Sequence, residues 1–288
     1  MKFEWKITRK HEDWLVRDYL LHVRAFSSRL LKQVKLNGEI LRNQQHCTVK
    51  ERLRSGDRLV VFFPPEQISE ALQPMELKLN VIYEDPYVLV INKPRGIAVS
   101  PNMNDRHRPT LASGVLDYFK QINVESTVHI LTRLDKYTSG TVLIAKHRYI
   151  HHLLQNEKIE RQYVAVVHGQ LKQKKGTIDL PIGRNLPSII ERKVTKQGKR
   201  AITHYQVVKD NGQDSLVKVK LETGRTHQIR VHLAHLGHPL LGDDLYGGMT
   251  TEIFGQALHC QLLAFNHPIL NQRIHCYGSF PTEMERLI

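Results

Sequence analysis

The stretch HILTRLDKYTSGTVLIAK, His129 to Lys146, sets a short polar turn between two apolar runs, with an aspartate flanked by Arg133 and Lys136. Alternating apolar and β-branched residues on both sides read as strands, so Asp135 falls on the loop that joins them. If the backbone is extended there, Arg133 projects to the same side as the carboxylate. Thr138 and Ser139 offer hydroxyls to turn amides, and Gly140 permits backbone angles closed to other residues. A carboxylate acts as nucleophile or base only while ionised, and a neighbouring guanidinium favours that form. Alone, Arg-Leu-Asp is also what an ordinary turn ion pair looks like.

Working outward, VIYEDPYVLVINKP reads as two strands around an Asp-Pro turn, and TLASGVLDYFKQ has helical spacing. STVHILTRL and TSGTVLIAK read as strands around the quoted turn, YIHHLLQNE as a helix and RQYVAVVHG as a strand. RAITHYQVVKD with SLVKVKLET reads as an antiparallel pair. THQIRVHLAHLG is an amphipathic helix, with Ile229, Leu233 and Leu236 on one face and Gly237 at its C-terminal end. Strands outnumber helices and alternate with them irregularly, which predicts an α+β fold with a mixed, mostly antiparallel sheet over residues 80–288.

Residues 1–63 read as a separate small α/β unit. WLVRDYLLHV and SSRLLKQV carry helical spacing, Ser27 or Ser28 can cap the second helix, and GDRLVVFF is a strand. Arg24, Arg29, Lys32 and Lys35 lie on or near those helices, either as solvated charges or as a face for a polyanion. Residues 64–79, punctuated by Pro64, Pro65 and Pro74, read as a linker.

The chain has 288 residues and a formal net charge of +14, an excess that points to a polyanionic partner such as nucleic acid. With 41% hydrophobic residues it can bury an ordinary core. No apolar run is long enough to span a membrane, and the N-terminus has no signal-like core. Cys47, Cys260 and Cys276 are odd in number and far apart, which fits a reducing cytoplasm better than a disulfide scaffold.

A second chemical element is LETGRTHQIRVHLAHLGHPLLGDDLYG, Leu221 to Gly247. Arg230 adjoins the apolar face of its helix, a half-buried position suited to pairing with a distant carboxylate. His232, His235 and His238 recur every third residue, but no H-E-x-x-H pattern or cysteine set accompanies them, so no metal is expected. GRTHQIR could cradle a phosphate at the helix start, though without P-loop spacing. The segment from Gly183 to Arg200 gathers Arg184, Arg192, Lys193, Lys196, Lys199 and Arg200, a basic hairpin able to grip phosphates; Lys93, Lys146 and Arg148 could extend the same surface.

TRLDKYTSGTVLIAK and TGRTHQIRVHLAHLGHPLLGDDLYG together resemble the RluA family of RNA pseudouridine synthases. The resemblance includes VLVINKPRGIAVSP, RQYVAVVHG, and LPIGR followed by a basic stretch and GKRAITHYQVV, all in the family's order. It implies conversion of uridine to pseudouridine in RNA without external cofactor, ribosomal RNA being favoured over transfer RNA, and an S4-like RNA-binding unit at residues 1–63. It implies that Asp135 is the essential aspartate, as nucleophile or as base, and that Arg133 fills the stack when the nucleotide is flipped out. Tyr163 would stack on the uracil, Arg230 would pair with the aspartate, and Leu233 would help floor the base pocket. Arg225 and His227 join the RNA-contacting set. Two positions depart from the family pattern, Thr132 and Ser100, where histidines are common. Two other readings stay open from the residues: a non-catalytic RNA-binding factor that keeps the fold, and a hydrolase pairing Asp135 with Asp243 or Asp244.

Overall fold

The computed structural model of the chain describes residues 1–101, 107–248 and 250–288. Its first strand, β1 (Lys2–Lys6), comes from the alternation Lys-Phe-Glu-Trp-Lys, a period-two signal at the extreme N-terminus. A helical turn, α1 (Val16–Asp18), continues into a π-turn over Tyr19–Val23, so the expected first helix is shorter and irregular. In α2 (Ser28–Asn37), Ser27 is the cap: its hydroxyl accepts from the Leu30 amide at 3.1 Å. β2 (Glu39–Arg42), β3 (Gln45–His46) and β4 (Arg58–Phe62) complete a four-stranded sheet in the order β1-β4-β2-β3.

The hairpin of β5 (Val81–Glu84) and β6 (Val88–Lys93) turns where the Asp-Pro signal lies. Asp85 Oδ1 accepts from the amides of Tyr87 and Val88 at 2.7 and 2.8 Å. After α3 (Leu111–Gln121), β7 pairs only over His129–Ile130, and residues 131–138 are irregular instead of continuing the expected strand. There follow β8 (Ser139–Ala145), α4 (Arg148–Gln155), β9 (Glu160–His168) and β10 (Lys175–Asp179). A two-stranded ribbon, β11 (Ile182–Arg184) with β12 (Arg192–Val194), precedes β13 (Ile202–Asp210), β14 (Asp214–Leu221) and α5 (Gln228–His235). Residues beyond Gly247 supply β15 (Leu258–Asn266), β16 (Arg273–Tyr277) and α6 (Thr282–Glu285).

The large sheet runs β10-β13-β14-β9-β15-β8-β6-β5, with β7 on β8 and β16 on β15. Among the described residues its strands pair antiparallel throughout, except β8 with β15. At that parallel seam Gly140 takes φ +114° opposite Cys260, and a Cβ there would overlap the Cys260 backbone. β6 and β8 are buried on both faces. Leu89, Ile91, Val142 and Ile144 pack with α3 residues Leu111, Val115 and Phe119, whereas Val88, Val90, Leu143 and Ala145 pack with α4 and the N-terminal unit. Each fully buried valine, leucine, isoleucine or phenylalanine among them contributes roughly 1.5–3 kcal/mol.

An aromatic cluster joins the two units: Tyr149 of α4 lies with its ring centroid 5.1 Å from Phe3, 4.9 Å from Phe26 and 5.6 Å from Phe63. Residues 64–79 carry no helix or strand, yet they are packed down. Glu66 has a side chain 2% exposed; it meets His129 Nε2 at 2.5 Å and Arg148 Nε at 3.0 Å and accepts from the Arg148 amide. Leu77 lies against Gly114, where a Cβ would collide with it.

Burial would raise the Glu66 carboxyl, but the His129 hydrogen bond and charge and the Arg148 amide outweigh it and hold it well below its ordinary value. A depressed folded pKa stabilises above the unfolded value and is lost as pH falls toward the folded one. Glu66→Ala should therefore cost about 3 kcal/mol at pH 7, because it leaves the His129 ring, the Arg148 guanidinium and the Arg148 amide without their shared acceptor. In urea titrations its deficit relative to the parent protein should shrink as the pH is lowered below about 4.5.

Candidate functional site

The irregular backbone between β7 and β8 is built to hold Asp135. The Thr138 amide closes the turn on the Asp135 carbonyl at 3.1 Å. Thr132 is 4% exposed, and its hydroxyl accepts from the Leu143 amide at 2.9 Å, which staples the turn's entry to β8. That is a bracing task a threonine can perform. Thr138 and Ser139 do not serve turn amides as expected: Thr138 Oγ1 accepts from Gln256 Nε2 at 2.9 Å, and Ser139 Oγ pairs with His259 Nδ1 at 2.9 Å. Both ties reach to β15 or the loop before it, segments that carry no motif legible in the sequence.

Lys93 is corrected. It is fully buried, and its ammonium donates to the carbonyls of Pro94, Ile97 and Lys136 at 2.9, 2.9 and 3.1 Å. Burial drives it down to about 7, against the opposing charge of Asp135. It is a brace beneath the aspartate's turn, with no surface for RNA. Lys146 is likewise buried and paired with Glu84 at 2.6 Å, and Arg148 is tied to Glu66 and to Gln33 of α2. Arg24 turns inward too, donating to Tyr19 Oη and lying 5.2 Å from the Trp5 ring centre. Arg29, Lys32 and Lys35 of α2 remain exposed.

A cleft of about 320 Å³ opens over Asp135. Its charged lining consists of Asp135, Arg133, Arg161, Arg225 and Arg230, so Asp135 is the only carboxylate on its walls among the described residues. Arg133 is exposed and lines the cleft, although the backbone there is not the extended strand that the sequence suggested. Tyr163 comes up from β9, 5% exposed, and burial pushes its hydroxyl far above the ordinary value. Leu131, Leu134, Leu221, Ile229 and Leu258 supply apolar wall. Leu233 is corrected: with no exposed surface it lies in the core under the wall, and Ile229, one turn earlier, faces the cleft in its place.

Arg230 reaches Asp135 Oδ2 from Nη1 at 3.3 Å, as expected. Its stronger partner is Asp243, held by two parallel hydrogen bonds of 2.7 Å, from Nε to Oδ2 and from Nη2 to Oδ1. Asp243 is wholly buried. Burial disfavours the guanidinium charge, but the Asp243 hydrogen bonds and charge raise it above its ordinary value. Tyr246 lies beneath, its ring centre 4.9 Å from the guanidinium carbon. From the sequence, the Asp-Asp pair in GDDLYG offers only a partner carboxylate for hydrolysis; locked on Arg230, Asp243 cannot play that part.

His227 has φ +57° at the start of α5, a left-handed conformation uncommon outside glycine and often found at sites. Its Nδ1 pairs with Tyr246 Oη at 2.9 Å, which turns Nε2 toward Asp135 Oδ2 at 3.8 Å. Burial lowers its pKa, opposed by Asp135. The turn ahead of it is not an open phosphate cradle, because Gln228 Oε1 accepts from the Arg225 amide and the Gln228 amide donates to the Arg225 carbonyl. His232 spends both ring nitrogens on Thr203 Oγ1 and the Leu180 carbonyl, and His238 bonds the His168 carbonyl. Arg161 is a site residue that the sequence reading missed: it lies two residues before Tyr163 on the same strand face, which is the signal that could have found it. Its Nε is buried without a partner.

Next to the cleft, a second groove shares Gly224, Arg225 and Thr226 and is lined by Arg184, Arg192, Gly198 and Lys199. Arg184, Lys193, Lys199 and Arg200 are exposed; Arg192 bends back to donate to the carbonyls of Ile189, Ile190 and Glu191.

The RNA pseudouridylate synthase family model matches residues 87–235. The chain is 46% identical over 271 residues to the uncharacterised RNA pseudouridine synthase YjbO of Bacillus subtilis (strain 168), covering 92% of this chain and 95% of that one. It is 33% identical to the ribosomal large subunit pseudouridine synthase D of Vibrio cholerae serotype O1, over 90% of this chain and 85% of the relative. Human RNA pseudouridylate synthase domain containing 4 has a similar fold, with a TM-score of 0.59 at 22% identity, covering 72% of this chain and 92% of that one.

The two carboxylates on Arg230 should separate under mutation. Asp243→Ala is expected to cost about 3–5 kcal/mol in a denaturant melt, since it leaves a buried guanidinium half-paired. Asp135→Asn, at a carboxylate 33% exposed, is expected to stay within about 0.5 kcal/mol of the parent.

Proposed function

Because this chain belongs to the RNA pseudouridine synthases and isomerises uridine in RNA, we propose that Asp135 carries the chemistry and that large-subunit ribosomal RNA is the substrate. The observation that carries the assignment is the solitary carboxylate in a cleft of guanidiniums, set 3.3 Å from an arginine that a buried aspartate holds in place.

The reaction breaks the bond from C1′ to N1 and forms one from C1′ to C5. The hydrogen leaving C5 is balanced by one gained at N1. Asp135 acts at the sugar, as nucleophile at C1′ or as the base that begins elimination. Arg230 fixes the carboxylate's position. Arg133, at the mouth, enters the space left by the extruded nucleotide and offsets part of the few kcal/mol that unstacking costs. Tyr163 lies against the uracil as a neutral phenol, a role suited to a hydroxyl that burial holds far from ionisation. The exposed cations of the ribbon, Arg184, Lys193, Lys199 and Arg200, together with Arg225, hold phosphates. Arg29, Lys32 and Lys35 on α2 give the N-terminal unit an RNA face in the manner of an S4-like module. The name of the Vibrio relative supports ribosomal RNA as the substrate, a reading that goes with a cytoplasmic reaction.

Carbodiimide mapping of pseudouridines in total RNA, from cells with and without the gene, should show one or more large-subunit sites lost; an unchanged map would overturn the reading. Asp135→Asn should abolish product while leaving RNA affinity within about threefold, because the variant removes the reacting group and a negative charge near phosphates. Affinity should fall steeply with salt. Replacing Arg184, Lys193 and Lys199 by alanine should flatten the log–log salt slope by about 2, at about 0.7 for each phosphate no longer neutralised.

A further inference from the structure

Phe254 is 78% exposed, more than any other phenylalanine, tyrosine or tryptophan among the described residues. It is not on a loose loop. Arg95, whose side chain is 9% exposed, donates to the carbonyls of Phe254, Gly255 and Gln256 at 2.8, 2.9 and 2.6 Å. Gly255, at φ +78°, packs on the Tyr137 ring so closely that a Cβ would overlap it. Gln256 is buried, and its amide bonds Thr138 Oγ1. The Phe254 ring meets Tyr137 edge to face, with centroids 5.1 Å apart. Tyr137 follows Asp135 by two residues, and exposed Lys136 lies between them with its ammonium 5.3 Å from the Tyr137 ring centre.

A large apolar ring is thus set in water on a backbone fixed by Arg95, with its edge against Tyr137, two residues from Asp135. We propose that Phe254 is a stacking shelf for a nucleobase flanking the target uridine, with Lys136 supplying charge to the adjoining phosphate. The inference rests on RNA being the substrate. The occupant follows from neighbourhood and charge: the ring leans on Tyr137, two residues from Asp135 and beside exposed Lys136, so nucleotides flanking one delivered to Asp135 pass close to it, and an aromatic face accepts any base. The fixed backbone adds to the case, since less freedom is left to lose when a base covers the ring.

The probe is a uridine-rich 12-nucleotide RNA with one 2-aminopurine stepped along it, read by fluorescence quenching on titration with the full-length protein. Quenching should be strongest at one or two neighbouring positions. Phe254→Ala should lose that quenching and bind about tenfold more weakly, whereas Phe254→Trp should keep both. Quenching and affinity unchanged in Phe254→Ala, with the parent isomerising RNA, would overturn the shelf alone; a Trp variant that fails as the Ala variant does would overturn it too. A parent protein that neither binds nor isomerises RNA would overturn shelf and substrate together. Self-association of the RNA-free protein that disappears in Phe254→Ala would assign the ring to a second copy and overturn the proposal.

Discussion

One guanidinium, that of Arg230, is shared by two carboxylates from different parts of the chain. Asp243 takes two of its nitrogens at 2.7 Å in full burial, and the third meets Asp135 at 3.3 Å on the cleft side. Taking charges out of water is expensive, and the bidentate geometry offsets that cost only while the partners stay aligned. The helix α5, the turn of Asp243 to Tyr246 and the loop of Asp135 are therefore fixed relative to one another. Removing either end of the buried pair releases all three. The exposed end is the one free to meet a substrate.

The same logic runs through the Lys-Pro-Arg-Gly segment after β6. Lys93 secures the backbone at Lys136, and Arg95 secures the backbone at residues 254–256. Two cations that composition counts toward nucleic-acid binding are spent on carbonyl groups that irregular loops would otherwise leave unpaired. A net charge of +14 thus overstates the charge available to RNA, and the ribbon and α2 carry only part of the exposed share.

Elements with a strong period were legible from sequence. β8, β9, β13, β14 and α5 lie where alternation or helical spacing put them, and the mostly antiparallel sheet follows from their neighbours. The pairing of Arg230 with Asp135, ninety-five positions apart, was legible only through joint motifs. What stayed hidden depended on burial. Nothing in Lys93 or Lys146 announces that one is spent on three loop carbonyls and the other on Glu84, and nothing in GDDLYG says which of its two aspartates turns inward. Leu233 has the right period for a wall and lies a turn too deep. The strand β1 has only five residues, too short an alternation to stand out until β4 is seen beside it.

The seam between β8 and β15 sets a boundary on how this protein can diversify. Gly140 meets the Cys260 backbone without room for a Cβ, so the junction that leads out of the Asp135 turn admits no side chain at that position. The ribbon tip between β11 and β12, with Leu186, Ile189 and Ile190 in solvent, is under no comparable constraint. Lineages carrying this architecture would thus be free to acquire new targets by rewriting their periphery, while the chemistry at the centre is inherited intact.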